Sequence, residues 1–245
     1  MKAFRKLIIV TLIVLACAAA VFFFGWTQFS VPAGKYGVML SKSGGYYPQA
    51  VIPGNFTWRW ERLVPANAQI LVFDLTPRQV NYTADGTLPS ADRYAKVLNT
   101  KDDFSWSFGI DALVTLKPEQ LVPTVEKNTI QTQEALESYI DSHIQAMLQT
   151  IMYRYVSELI DNPYEYQQIK TDHHILSEKI KGELAKTAGQ NFSVEAVTLT
   201  KLAIPDIHTY KIAEQAYNTY EQQREILLAK RQQKKRNILP PSSFK

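Results

Sequence analysis

The chain has 245 residues, 46% hydrophobic and 20% charged, with 10 Gly and 12 Pro, which excludes a disordered or low-complexity protein. Its length allows one large domain or two small ones, and the single cysteine, Cys17, excludes an intramolecular disulfide and a cysteine-rich zinc site. The formal charge of +4 is concentrated at Lys2, Arg5 and Lys6 and again over Arg224–Arg236, leaving an acidic body that is a poor footprint for nucleic acid, so no nucleic-acid partner is expected.

Residues 1–6 form a short basic end. From Leu7 to Trp26 no charge occurs, and Thr11 is the one polar residue before Phe24. As a helix this run spans about 30 Å, the thickness of a hydrocarbon core. Leu7, Ile8, Ile9, Val10, Leu12, Ile13, Val14, Leu15, Val21, Phe22, Phe23 and Phe24 would meet the lipid, with Trp26 at the interface. Three cations before the run and none after it until Lys35 predict a cytoplasmic N-terminus and an extracytoplasmic body, periplasmic in a bacterium. Two other readings compete: a signal peptide cleaved at Ala18-Ala19-Ala20, and a lipoprotein site at Val14-Leu15-Ala16-Cys17. Both would leave the apolar Val21–Phe24 near a mature end that normally continues polar.

A strand is predicted over Tyr36–Leu40, and Gly44-Gly45 and Pro53-Gly54 mark turns. Phe56, Trp58 and Trp60, then Ile70, Val72 and Asp74, alternate as strands with one buried face. That spacing puts Trp58 and Trp60 on one face. Core burial, membrane-surface contact and a ligand platform are the three readings of Trp58, Trp60 and Trp106, core burial being favoured. Thr83–Ala95, rich in Gly, Pro, Ser and Asp, reads as a surface loop, and Phe104–Phe108 and Ile110–Leu116 as a strand pair.

After Pro123 the period becomes helical, with Leu136, Ile140, Ile144, Met147, Ile151 and Tyr155 on one stripe. Asn162-Pro163-Tyr164-Glu165 has the cap, proline and glutamate of a helix start. The following stripe, Tyr166 to Leu184, reads as one helix ending at Gly189. Phe192 and Val194 alternate one register off Val197 and Leu199, which predicts a bulge near Glu195–Ala196. A last helix is predicted over 206–236, before a flexible tail at 237–245. Its residues Tyr210, Ala213, Tyr217, Tyr220, Arg224 and Leu227 fall at spacings of three and four, a candidate assembly seam of coiled-coil type.

Chemistry-bearing patterns are sparse. His173-His174 diverge by about 100° on a helix and no carboxylate-rich companion site accompanies them, so they and His143 and His208 read as ordinary surface or half-buried groups. No nucleophile elbow, zinc-protease helix, phosphate loop or dinucleotide fingerprint occurs. Lys101-Asp102-Asp103 reads as a turn before a strand, and Lys230–Arg236 as a solvated helix end or an anionic-lipid contact. No catalytic residue, metal or cofactor is expected.

The order of features resembles the SPFH or band 7 family of stomatins, prohibitins, flotillins and HflK/C proteins. Behind the apolar run, Val31-Pro-Ala-Gly-Lys-Tyr-Gly-Val38 is similar to the family's opening strand. Val51-Ile-Pro-Gly-Asn-Phe56 resembles its Pro-Gly turn, Leu98-Asn-Thr-Lys-Asp102 its strand entry, and Gly189–Pro205 the end of its domain. The resemblance implies an α+β fold: one N-terminal transmembrane helix, a domain over 30–205 that is β-rich first and helical later, and a C-terminal helical extension. It also implies a non-enzymatic scaffold that self-associates or joins similar subunits, organises the bilayer around it, and regulates partner membrane proteins such as a membrane protease. The competing functions are a monomeric extracytoplasmic adaptor and a membrane-tethered enzyme of unknown chemistry.

Overall fold

The basic residues Lys2, Arg5 and Lys6 and the uncharged run after them form one helix, α1, over Lys2–Gly25, in a computed structural model that describes residues 2–26, 31–64 and 66–238. The predicted tail at 237–245 lies mostly outside those residues. The chain divides into two compact units, one of 1–81, 111–148 and 180–197, the other of 82–110, 149–179 and 198–245.

In the first unit, β1 (Tyr36–Ser41) lies between β2 (Gly45–Tyr46) and β3 (Ala68–Phe73), antiparallel to both. The β1–β3 register runs from Tyr36 opposite Phe73 to Ser41 opposite Ala68. Val31, Met39 and Val51 make a small buried core under Tyr47, Ala68 and Ile70. The expected strand at Phe56–Trp60 is absent, because Trp58 makes only an isolated bridge with Trp26 and Trp60–Leu63 turns into a 3-10 segment. Phe56, Trp58 and Trp60 are exposed, which overturns the core reading for both tryptophans, whereas Trp106 is buried.

A second sheet has the order β4-β5-β6, from Arg78–Thr87, Ser105–Leu116 and Phe192–Ala203. Each of its strands contributes residues to both units. The predicted pair Phe104–Phe108 and Ile110–Leu116 is one strand of 12 residues, β5, with Trp106, Phe108, Ile110, Ala112, Val114 and Leu116 buried along it. In the first unit Arg78 is held by both oxygens of Asp141, at 2.7 Å each, and by Glu137, at 2.7 Å. Bonding to Asp141, above all, raises the guanidinium pKa further, so this charge is permanent.

The predicted loop at Thr83–Ala95 is instead the end of β4 and a helix, α2 (Ala91–Leu98). Its glycine is a packing residue: a Cβ at Gly86 would lie 2.7 Å from the Trp106 ring. Ser90 and Asn99 flank α2 in left-handed conformations, so its turn-forming residues sit at its ends.

Helices α3 (Pro118–Asn128) and α4 (Gln133–Asp161) follow. Pro118 opens α3, and Pro123 lies inside it rather than before the helical region. Along α4, Leu136, Ile140, Ile144, Leu148 and Met152 are buried, with Leu148 taking the place expected for Met147. Asn162 caps α5 (Pro163–Thr171), accepting from the Glu165 amide at 3.3 Å. The helix expected to run on to Gly189 breaks at Asp172, which is extended and accepts from the His174 amide at 2.9 Å, starting α6 (His173–Ala188). In the second unit Lys179 pairs with Glu158 and Glu165 and lies 4.6 Å from the centre of the Tyr155 ring. Along β6, exposure of both Glu195 and Ala196 shifts the buried parity from Phe192 to Val197, as a bulge would.

The last helix, α7, spans Ile207–Ile238. Asp206 starts it by accepting from the His208 amide at 2.9 Å and the Thr209 amide at 3.4 Å. Desolvation of the exposed Asp206 carboxylate opposes ionisation, but these amides and His208 outweigh it and lower the carboxyl pKa. A depressed pKa means stability present above the ordinary carboxylate range and lost as pH falls through the lowered value. Asp206→Ala should therefore cost about 1 kcal/mol at pH 7. Asp206→Asn should cost little at neutral pH and be flatter in acid. Urea melts at pH 7 and below pH 3 check this: an Ala penalty of equal size at both pH values would remove the charge from the argument.

Candidate membrane interface and assembly surface

The apolar residues of α1 exist as an uncovered helix. Phe4–Gly25 is long and apolar enough to cross a membrane. Leu7, Ile8, Ile9, Val10, Leu12, Ile13, Val14, Leu15, Val21, Phe22, Phe23 and Phe24 are exposed along it, and Trp26 is half-buried at its end.

A helix leaves its last carbonyls without intrahelical donors. Here the segment 58–62 supplies them. Trp58 Nε1 donates to the Phe22 carbonyl at 3.2 Å, the Arg59 amide to Gly25 at 2.8 Å, and Arg62 to Trp26 at 2.9 Å. Phe56 stacks on Phe22 with centroids 5.8 Å apart and meets Trp26 edge-on at 5.3 Å. Gly25 is required by this docking: a Cβ there would fall 2.2 Å from the Trp58 indole nitrogen. Arg59 lies over the Tyr47 ring, 3.6 Å from its centre. Burial lowers the Arg62 pKa without bringing its charge into question.

The residues proposed from spacing as an assembly seam divide into two sets. Tyr210 and Ala213 are buried. Tyr210 donates to the Pro89 carbonyl at 2.8 Å and packs on Tyr94 and Phe104, with centroids 5.7 and 5.5 Å away. Burial, with Tyr94 beside it, raises the Tyr210 hydroxyl above its ordinary pKa and keeps it a donor. Tyr217 is half-buried, 5.1 Å from the Tyr94 ring. These three are engaged within their own chain. Tyr220, Arg224 and Leu227 are exposed, as are Ile226 and Leu228. Arg224 pairs with Glu221 on the same helix.

Chemistry-bearing side chains do not converge. Among the described residues no group of three or more His, Cys, Asp or Glu could hold a metal. His173, His174 and His208 are exposed, and His143 stacks on Tyr139. Asp103 accepts from the Ser105 amide at 2.8 Å, an Asx turn before β5.

Residues 29–237 match the SPFH domain / Band 7 family, most of the chain and all of the fold behind α1. The chain belongs to the SPFH domain / Band 7 family. It is also 36% identical over 200 residues to an uncharacterized protein of Treponema pallidum (strain Nichols), across 82% of this chain and 67% of that protein. SPFH proteins are in general membrane-associated, oligomeric and non-enzymatic scaffolds, a role in keeping with α1. The mixed α and β architecture, with strands in the first half and helices later, is the SPFH arrangement that the sequence predicts.

The sequence reading missed the segment 58–62 as a cap for α1. A signal for it was present: three large aromatics beside two arginines, shortly after an apolar helix ending in Gly25-Trp26.

Proposed function

We propose that this SPFH protein is a single-pass membrane scaffold that self-associates through the distal part of α7 and regulates partner membrane proteins, a membrane protease among the candidates. Its α1 spans the bilayer with Lys2, Arg5 and Lys6 in the cytoplasm, and the body lies on the other side. The division of labour follows the chain: 7–26 anchors, 30–205 is the SPFH body, and the helix from 206 onward carries assembly.

The observation that carries the reading is the exposed apolar surface of α7 beyond Tyr217. Ile226, Leu227 and Leu228 are uncovered on a helix otherwise rich in Gln, Glu, Lys and Arg. A helix so polar is stabilised by a partner rather than by its own face. Sizing of the detergent-extracted full chain, with crosslinking in intact membranes, tests the proposal. A discrete species heavier than the monomer, crosslinked through α7, is expected. A monomer in both experiments would favour the single-partner adaptor instead.

A further inference from the structure

Beside the end of α1 lies a surface that neither anchoring nor assembly uses. Phe56 and Trp60 are 60% and 53% exposed, and Leu63 and Val64 are also exposed. Large aromatics grouped in the open mark a contact site rather than ordinary surface. Their position is fixed by the hydrogen bonds to the carbonyls of Phe22, Gly25 and Trp26. Phe22 precedes Trp26 by four residues, about 6 Å along a helix axis. The group that reaches back to Phe22 therefore lies level with the last turn of the apolar helix. At that depth water is scarce, and an unsatisfied carbonyl costs several kcal/mol. Donors brought by 58–62 are what a helix end at the lipid boundary needs.

We infer that Ile52–Val64 is a second membrane contact, a wedge seated in the headgroup layer of the leaflet where α1 emerges. Phe56, Trp58 and Trp60 enter the boundary between headgroups and acyl chains, where amphipathic rings are favoured. Arg59 lies between the two tryptophans in sequence and Arg62 follows Trp60, on a segment whose rings meet lipid, and both suit the level of the lipid phosphates. The occupant is a lipid surface, because the patch is continuous with a helix that itself faces lipid. The inference rests on α1 being a membrane span. It adds that the first unit is held by two contacts and so has a set orientation to the bilayer, which a helix alone on a free linker would not give.

Cys17 is the only cysteine, so Cys17→Ser provides a background for site-directed spin labels on the full chain. Labels at Phe56→Cys and Trp60→Cys, both exposed sites, are compared with Val14→Cys in the anchor and Thr87→Cys, an exposed site on β4. The protein is reconstituted in vesicles of phosphatidylethanolamine and phosphatidylglycerol. Accessibility to oxygen is measured against a water-soluble nickel chelate. A ratio at 56 and 60 severalfold above that at 87, approaching that at 14, supports the wedge. A high ratio at 14 with solvent-like values at 56 and 60 overturns the wedge and leaves the span intact. A solvent-like ratio at 14 overturns the span itself and the wedge with it. Labels at 56 and 60 that are immobile and reached by neither agent would mean that protein covers the patch, which also overturns it. Because Phe56 touches the anchor, tryptophan quenching of the unsubstituted chain by shallow-brominated lipids gives a second readout. Quenching confined to one tryptophan's share of the emission would count against the wedge, since Trp26 alone would then meet lipid.

Discussion

Leu12→Arg combined with Leu15→Arg will move the protein out of the membrane. Both residues sit near the middle of the 22-residue apolar stretch Phe4–Gly25, and both are exposed. At the centre of a span, leucine favours insertion by a few tenths of a kcal/mol and arginine opposes it by roughly 3 kcal/mol, so the pair should swing insertion by about 6–8 kcal/mol. Snorkelling recovers part of this, less here because both sites lie far from either end. Even about half the swing is roughly two decades in a partition constant. Carbonate-washed membranes should retain the unsubstituted chain and the Leu12→Ala, Leu15→Ala control, and lose the double arginine variant. Retention of that variant in the washed pellet would show that the body, not α1, attaches the protein. N-terminal sequencing separates a span from a removed leader: a mature chain starting at or after Cys17 would end the span reading.

What was legible in the sequence is what depends on neighbours along the chain. An uncharged run, the short strand at 36–40, the alternation of β5 and the cap before α5 are local signals, and the structure places an element at each; β3 also lies where Ile70 and Val72 alternate, but it buries the other parity, Leu71 and Phe73. What was not legible depends on partners far away in sequence. Phe56, Trp58 and Trp60 alternate as a strand would, yet their conformation is set by the carbonyls of α1 more than thirty residues upstream. Thr83–Ala95 has the composition of a loop because Gly86 makes room for Trp106, while Ser90 takes the left-handed turn before α2. Missing α2 had a second effect. Tyr94 lies in that segment, and without it Tyr210 and Tyr217 had no visible partner within the chain. Spacings of three and four identify a helix face but say nothing of whether its cover is the same chain or another copy.

That distinction decides which substitutions can test assembly. Tyr220 and Leu227 lie seven residues apart on one face of α7, with Arg224 between them, and both are exposed. Burying such a pair against a neighbour contributes a few kcal/mol at about 25 cal/mol per Å² of apolar area. For one isolated contact this does not overcome the entropy of association. It suffices when repeated around an assembly whose subunits a bilayer already concentrates. Tyr220→Asp with Leu227→Asp introduces two charges into that face from side chains that the chain's own core does not use. The expected result is a monomer by detergent sizing, with helical content and melting temperature unchanged. Tyr217→Asp is the contrasting variant, since it puts a charge against Tyr94. It should lower the melting temperature of the folded chain whether or not the protein assembles. An unchanged heavy species in the Tyr220, Leu227 double variant would relocate assembly to the strand-rich body, where β4 and β6 are the outer strands of the second sheet.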